Sequence, residues 1–130
     1  MADSKRSKTS VLLVDDEPDF LFAMKAWLLS RGLAVQTANS GREGIDKLKQ
    51  KKPDVVFVDV MMPKMDGIDT LAQIRAIDAE LPVILITAFG LHPRLQEAEK
   101  YGVTGFFRKS QDFELAAALI EAAVREVRET

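Results

Sequence analysis

The stretch that decides the fold runs from Val55 to Gly67 and reads VVFVDVMMPKMDG. Its first four residues are apolar and mostly β-branched, which is typical of a strand buried on both faces of a parallel sheet. Asp59 follows where this strand ends, and the turn signals at Pro63 and Asp66-Gly67 then lead the chain into a loop. Ligands of open α/β sheets bind just beyond the carboxyl ends of the strands. Asp59 is therefore a candidate site residue, although an aspartate here can also serve only to start a turn.

The composition restricts the classes of protein to which the chain can belong. Its 130 residues suffice for one domain with a sizeable core, and 47% hydrophobic with 29% charged residues is typical of soluble globular proteins. The net charge of −2 does not indicate nucleic-acid or anionic-membrane binding, and the absence of cysteine excludes disulfides and thiolate sites. No apolar run approaches the ~20 residues of a membrane span, and the N-terminus lacks a secretory h-region. We therefore expect a cytoplasmic protein with a disordered tail over residues 1–9.

Apolar runs separated by turn signals predict strands and helices in strict alternation. The predicted strands span residues 11–14, 33–37, 55–58, 83–86 and 105–109. The predicted helices span residues 18–31, 41–48, 68–77, 93–100 and 113–127. The last helix has a predicted apolar face made of Leu115, Leu119, Ile120, Ala123, Val124 and Val127. Strands that alternate with helices require a parallel sheet with right-handed crossovers, so we predict a doubly wound α/β fold with helices on both faces.

Polar side chains stand where four of the predicted strands end. They are Asp15 and Asp16 after the first strand, Asp59 after the third, Thr87 after the fourth and Lys109 after the fifth. In the flavodoxin-like strand order 2-1-3-4-5, these ends meet at one edge of the sheet around the switch point. Clustered carboxylates raise one another's pKa unless a cation intervenes, and an all-oxygen ligand set favours Mg²⁺. A carboxylate beside Mg²⁺ and an ammonium is a competent nucleophile towards a phosphoryl group.

Each of these residues also has a purely structural interpretation. Asp15 and Asp16 can be an acidic approach to a helix N-terminus, where negative charge is favourable. A threonine at the end of a strand and a lysine on the surface are common without any function. Only the joint placement of these side chains favours a site.

The chain resembles the receiver domain of two-component response regulators over about residues 10–128, and the first nine residues lie outside this similarity. The similarity rests on VDDE at residues 14–17, VDVMMP at 58–63 with Asp66-Gly67, ITA at 86–88 and FFRK at 106–109. Together these motifs are highly specific. The resemblance implies a five-stranded parallel sheet in the order 2-1-3-4-5.

The resemblance implies a phosphoacceptor and a magnesium ion. Asp59 would accept the phosphoryl group from a phosphohistidine of a sensor histidine kinase or a phosphotransfer protein. The ligands of Mg²⁺ would be Asp15, Asp16, Asp59 and the backbone carbonyl of Met61. Such a domain assists its own phosphorylation and dephosphorylation, but it is not a conventional multiple-turnover enzyme.

The resemblance also implies a switch. Thr87 and Lys109 would bind the phosphoryl group, and Phe106 stands at the position of the family's switch aromatic, which is often tyrosine. Phosphorylation would change the surface formed by the fourth helix, the fifth strand and the fifth helix, where an effector protein would bind. We expect no direct contact with nucleic acid or membranes. Ser110 replaces the family's usual proline, and since a non-proline cis bond costs about 2.5–4 kcal/mol, we predict a trans bond between Lys109 and Ser110.

Two other functions are compatible with these residues. One is a receiver-like interaction module that is never phosphorylated, which labelling with acetyl phosphate and Mg²⁺ would distinguish from a switch. The other is a phosphohydrolase with an aspartyl nucleophile, but the haloacid-dehalogenase type carries Asp-x-Asp, whereas Met61 stands two residues after Asp59. The sequence leaves open the cognate kinase and stimulus, the output, the oligomeric state, the phosphoryl lifetime, and whether the domain stands alone or belongs to a longer chain.

Overall fold

A computed structural model of the chain describes residues 8–88 and 93–129. The strands are β1 (Ser10–Val14), β2 (Ala34–Ala38), β3 (Val55–Asp59), β4 (Val83–Thr87) and β5 (Gly105–Arg108). The helices are α1 (Pro18–Ser30), α2 (Gly41–Gln50), α3 (Gly67–Ile77), α4 (Leu95–Tyr101) and α5 (Phe113–Glu129). All strand pairs are parallel, and the sheet order is β2-β1-β3-β4-β5. The predicted doubly wound, flavodoxin-like fold is confirmed.

The sheet separates two apolar cores, because successive side chains of a strand point to opposite faces. In β3, Val56 and Val58 pack with α2, α3 and α4 on one face, whereas Phe57 packs with α1 and α5 on the other. Every residue of β3 and β4 is buried. Since burying one large apolar side chain contributes about 1.5–3 kcal/mol, these two central strands are firmly held. They provide a rigid base for the side chains at their carboxyl ends.

Side-chain caps fix the starts of two helices beside that edge. Ser40 Oγ accepts a hydrogen bond from the backbone N–H of Glu43 at 3.1 Å. The Glu43 carboxylate in turn accepts the backbone N–H of Asn39 at 2.7 Å. Asp66 caps α3 by accepting the backbone N–H of Asp69 at 2.9 Å. Each cap satisfies N–H groups that a helix start leaves without partners.

The predicted apolar face of α5 is partly wrong. Leu115 and Val127 are exposed, whereas Ala116, absent from the prediction, is buried with Ile120 and Ala123. These three residues are spaced i, i+4, i+7, which is one helical face. The prediction weighted large side chains, but the small alanines lie against the sheet.

The predicted disordered tail covers residues 1–9, of which the structure describes residues 8 and 9. Residues 1–7 lie outside the described residues. Thr9, which is described, accepts a backbone hydrogen bond from Ala34 at 2.9 Å. No helix in the described parts of the chain is long and apolar enough to cross a membrane. The described residues also contain no cis peptide bond, so the bond between Lys109 and Ser110 is trans, as predicted.

Candidate functional site

Asp59 ends β3 at the carboxyl edge of the sheet, where it is almost completely buried. Its Oδ1 accepts the backbone N–H of Met61 at 3.0 Å. Gly67 closes the following loop by donating its N–H to the Val60 carbonyl at 2.9 Å. A Cβ at Gly67 would lie 2.3 Å from the Asp59 carbonyl oxygen, so a larger residue would displace the backbone of the candidate acceptor. The loop therefore requires a glycine at this close approach.

The Lys109 ammonium lies among three carboxylates. Its Nζ is 3.2 Å from Asp59 Oδ2 and 3.0 Å from Asp15 Oδ2, and it also contacts Glu17 Oε1. The Lys109 backbone N–H donates to the Thr87 carbonyl at 2.9 Å, which joins the loop after β5 to the end of β4. Because one ammonium cannot balance three carboxylates, the site keeps net negative charge that attracts a cation.

Glu17, which was not among the predicted site residues, lies with Asp15 and Asp59 at the site. Asp15, Glu17 and Asp59 are the three residues in the described part of the chain whose carboxylate oxygens lie within 4.8 Å of one another. Asp16 is exposed and is not a member of this group. The sequence signal for Glu17 was its position directly after the aspartate pair, but residue type alone does not show which of these side chains turns inward. The metal role of Asp16 and of the Met61 carbonyl stays a prediction.

Thr87 and Phe106 lie on the side of the site that faces α4. Thr87 is buried at the end of β4, whereas the Phe106 side chain on β5 is 45% exposed. An open cavity of about 520 Å³ is lined by Thr87, Leu95, Phe106, Arg108 and Gln111. Phe106 therefore borders open space on the Thr87 side.

Burial opposes ionisation of the two inner carboxylates. Burial raises the pKa of Asp15 to about 6, and the charge of Asp59 raises it further. The hydrogen bond from the Glu17 N–H and the Lys109 ammonium lower this pKa in part. Burial also raises the pKa of Asp59, although the Met61 N–H and the Lys109 ammonium lower it in part. Burial alone would lower the pKa of Lys109, but its contacts with Glu17, Asp15 and Asp59 raise it overall. The ammonium therefore stays charged, and within residues 8–88 and 93–129 it is the cationic side chain that pairs with these carboxylates.

The ligand set fits a hard divalent cation such as Mg²⁺. All the candidate ligands are oxygens, which Mg²⁺ prefers. Asp15 Oδ2 is buried and receives no hydrogen bond, although Lys109 Nζ lies 3.0 Å away. A bound cation would supply the missing partner and would lower the raised pKa of Asp15.

Comparison with known proteins identifies a family. The model of the response regulator receiver domain matches residues 11–121. The transcriptional regulatory protein ZraR of Salmonella typhimurium is 34% identical over 125 residues, which are 96% of this chain and 28% of that protein. The transcriptional regulatory protein GlrR of Escherichia coli is 37% identical over 116 residues, which are 89% of this chain and 26% of that protein. The chain thus spans about a quarter of the length of these curated relatives.

Solved structures give the same result at the level of the fold. The crystal structure of a response regulator receiver domain protein from Clostridium thermocellum is similar with a TM-score of 0.83 and 30% sequence identity. The similar region covers 92% of this chain and 97% of that one. The likeness therefore extends over the whole sheet and its helices.

Proposed function

The chain belongs to the response regulator receiver domain family, and from this membership we propose that it is a phosphorylation switch whose acceptor is Asp59. The donor would be a phosphohistidine of a sensor histidine kinase or a phosphotransfer protein. The observation that carries the proposal is the buried Asp59 carboxylate with the Lys109 ammonium 3.2 Å from its Oδ2. A nucleophile and a fixed cation at the carboxyl ends of parallel strands suit phosphoryl transfer.

The chain's own residues account for the transfer step. A carboxylate oxygen of Asp59 forms a bond to phosphorus while the phosphorus–nitrogen bond of the phosphohistidine breaks, and the imidazole leaves with the electron pair. The Lys109 ammonium stabilises the negative charge on the transferring oxygens. The Thr87 hydroxyl, at the end of the neighbouring strand, donates a hydrogen bond to one of these oxygens. The Met61 N–H, 3.0 Å from Asp59 Oδ1, keeps the carboxylate oriented during attack.

Asp15, Asp16, Asp59 and the Met61 carbonyl would hold Mg²⁺, and the buried Asp15 Oδ2 without a hydrogen bond supports this assignment. When bound, the ion supplies positive charge that favours ionised carboxylates and offsets the charge of the phosphoryl group. Because the carboxylates must be ionised to act as ligands, Asp15 has to lose its proton before it can bind the metal.

The proposed downstream partner and location are inferred from the family and from the curated relatives. We propose that an effector protein binds the surface of α4, β5 and α5, which contains the half-exposed Phe106. Because the curated relatives are transcriptional regulatory proteins, we place the switch in the cytoplasm. The net charge of −2 is the reason why we propose no direct nucleic-acid contact by this domain. The protein would assist its own phosphorylation and dephosphorylation without turning over a small substrate.

Acetyl phosphate labelling tests the proposal. We expect wild type with Mg²⁺ to gain the mass of one phosphoryl group, and Asp59→Asn to gain none while remaining folded. Asp46→Asn, which changes an exposed aspartate on α2, is the matched control and should be labelled like wild type. An unlabelled wild type would instead favour the receiver-like interaction module, and full labelling of Asp59→Asn would move the acceptor elsewhere.

A further inference from the structure

The side chain of Glu17 does not cap the helix at whose start it lies. Glu17 is the N-cap residue of α1, but its side chain accepts no capping hydrogen bond. Its carboxylate instead contacts the Lys109 ammonium, 92 residues further along the chain. Negative charge near a helix N-terminus is favourable in itself, but this side chain is turned towards the site. The contact therefore joins the start of α1 to the loop after β5.

The three carboxylates around Lys109 differ in what the proposed reaction does to them. The Asp59 carboxylate becomes an acyl phosphate, so its own charge is lost and the negative charge moves to the phosphoryl oxygens. Asp15 would turn its oxygens towards the metal ion. Glu17, whose side chain is 61% exposed, takes part in neither change. It is therefore the carboxylate partner of Lys109 that persists when the other two are altered.

We propose that Glu17 is a positioning residue that holds the Lys109 ammonium beside the acceptor while Asp59 and Asp15 change partners. A lysine side chain is long and flexible, so an ammonium with no constant partner would sample several positions. The Lys109 backbone is fixed by its hydrogen bond to Thr87, and the Phe20 ring lies 5.0 Å from Nζ. Glu17 supplies the remaining restraint at the charged end. The catalytic meaning of this inference rests on the proposed function, but the contact exists without metal or phosphoryl group.

A simpler effect of the Glu17 charge predicts the opposite result. Acetyl phosphate is an anion, so removing a carboxylate near the site would ease its approach and speed the labelling. Glu17→Ala removes both the charge and the contact, whereas Glu17→Gln removes the charge but keeps an oxygen that can accept from Lys109. If Glu17 positions Lys109, the alanine variant is slow and the glutamine variant recovers most of the rate. If only charge matters, both variants are faster than wild type.

The kinetic test is the rate of acetyl phosphate labelling at saturating Mg²⁺ and varied donor concentration. We expect Glu17→Ala to lower the maximal rate by about tenfold, the effect of losing one charge-assisted hydrogen bond, with little change in KM. Asp19→Ala is the matched control, because it removes an exposed carboxylate from the first turn of the same helix. Thermal unfolding should show all three variants folded, since both side chains are exposed. Faster labelling of both Glu17 variants would overturn the proposal.

The second test needs neither metal nor phosphoryl donor. In ¹H–¹⁵N NMR spectra, a lysine ammonium is visible when hydrogen bonds slow its exchange with water. We expect a Lys109 ammonium signal in all four proteins, because Asp15 and Asp59 remain as acceptors, but faster exchange with water in Glu17→Ala than in wild type, Asp19→Ala and Glu17→Gln. An exchange rate in Glu17→Ala equal to that of wild type would refute the positioning role. A wild type that shows this signal but accepts no phosphoryl group would refute the proposed function and leave the contact established.

Discussion

At the scale of single residues, the site is short of positive charge. The Lys109 ammonium offsets part of the penalty for burying Asp59, and it is shared with Asp15 and Glu17. Asp15 is fully buried, and one of its oxygens has no hydrogen bond. Ionising all the carboxylates of the resting site therefore costs free energy, which the raised pKa of Asp15 and of Asp59 reflects. This imbalance is the physical reason why we expect a cation to bind before phosphorylation.

The raised pKa of Asp15 predicts how the metal-free protein responds to pH. A carboxyl whose pKa rises from 3.8 to about 6 on folding stabilises the protein fully below pH 3.8, and this contribution is lost as the pH rises through 6. Between pH 4 and 7, we expect the free energy of unfolding of wild type to fall relative to that of Asp15→Asn by up to about 3 kcal/mol. Urea unfolding across this range measures the difference. Parallel pH profiles for the two proteins would show that the Asp15 carboxyl is not the source of the pH dependence.

The role of Asp16 is decided by the response to metal. We expect Mg²⁺ to raise the melting temperature of wild type, because it neutralises the carboxylates, and to raise that of Asp16→Ala much less. Without metal, Asp16→Ala should be at least as stable as wild type, since one repelling charge is gone. Asp19→Ala is the control and should respond like wild type. If Asp16→Ala responds fully and Glu17→Ala does not, Glu17 is the metal ligand in its place.

At the scale of elements, α4 is joined to α3 at both of its ends. Arg94, the N-cap residue of α4, pairs with Asp66 and Asp69 at the start of α3. At the other end, the Arg75 side chain on α3 donates to the carbonyls of Tyr101 and Gly102 at 2.7 and 2.8 Å. The same guanidinium also donates to the carbonyls of the loop before β4. These contacts hold α4 against the core, although it is the shortest helix of the described chain.

Removing the Arg75 side chain should destabilise the fold more than removing an ordinary surface arginine. Hydrogen bonds to a charged group contribute about 1.5–3 kcal/mol each. After the substitution, water can hydrogen-bond to the freed carbonyls and replace part of this free energy. We expect Arg75→Ala to lower the free energy of unfolding by about 2–4 kcal/mol in urea titrations. Arg125→Ala, which removes an exposed arginine paired with Glu121, should change it by less than about 1 kcal/mol. Equal effects of the two substitutions would show that the Arg75 bonds add nothing.

We propose that Thr87 and Phe106 link the site to the α4–β5–α5 surface. If phosphoryl oxygens draw the Thr87 hydroxyl inward, Phe106 would rotate from its half-exposed position into the space behind β4. Burial of this ring contributes up to about 1.5–3 kcal/mol, and since phenylalanine has no hydroxyl, packing alone sets the balance. We expect beryllofluoride, a phosphoryl mimic, to change amide exchange across residues 93–125 in wild type but much less in Thr87→Ala.

The control for that experiment is Thr104→Ala, which removes an exposed threonine hydroxyl next to β5 and should respond like wild type. If wild type shows no change across residues 93–125, the switch surface lies elsewhere. A full response of Thr87→Ala would show that the hydroxyl is not the link.

At the scale of the whole molecule, the sequence was sufficient to predict the fold and the edge of the sheet at which the candidate site lies. Buried strands such as β3 appear as continuous apolar runs, and residues that follow such strands must meet at one edge of a parallel sheet. The sequence was not sufficient to predict that the Glu17 side chain turns towards the site, or that alanines form part of the buried face of α5. These depend on the path of a loop and on close packing, neither of which has a periodic pattern. The four carbonyl contacts of Arg75 were likewise invisible, because their acceptors are backbone atoms.

The claim on which the rest depends is that Asp59 itself carries the phosphoryl group. Borohydride reduces an acyl phosphate to an alcohol, so it converts a phosphorylated aspartate into homoserine and marks the acceptor permanently. Wild type would be treated with acetyl phosphate and Mg²⁺, reduced, digested and mapped by tandem mass spectrometry. We expect homoserine in place of Asp59 alone, and none when the donor is omitted. Homoserine in place of Asp15 or Asp16, with Asp59 intact, would contradict the assignment of Asp59 as the acceptor.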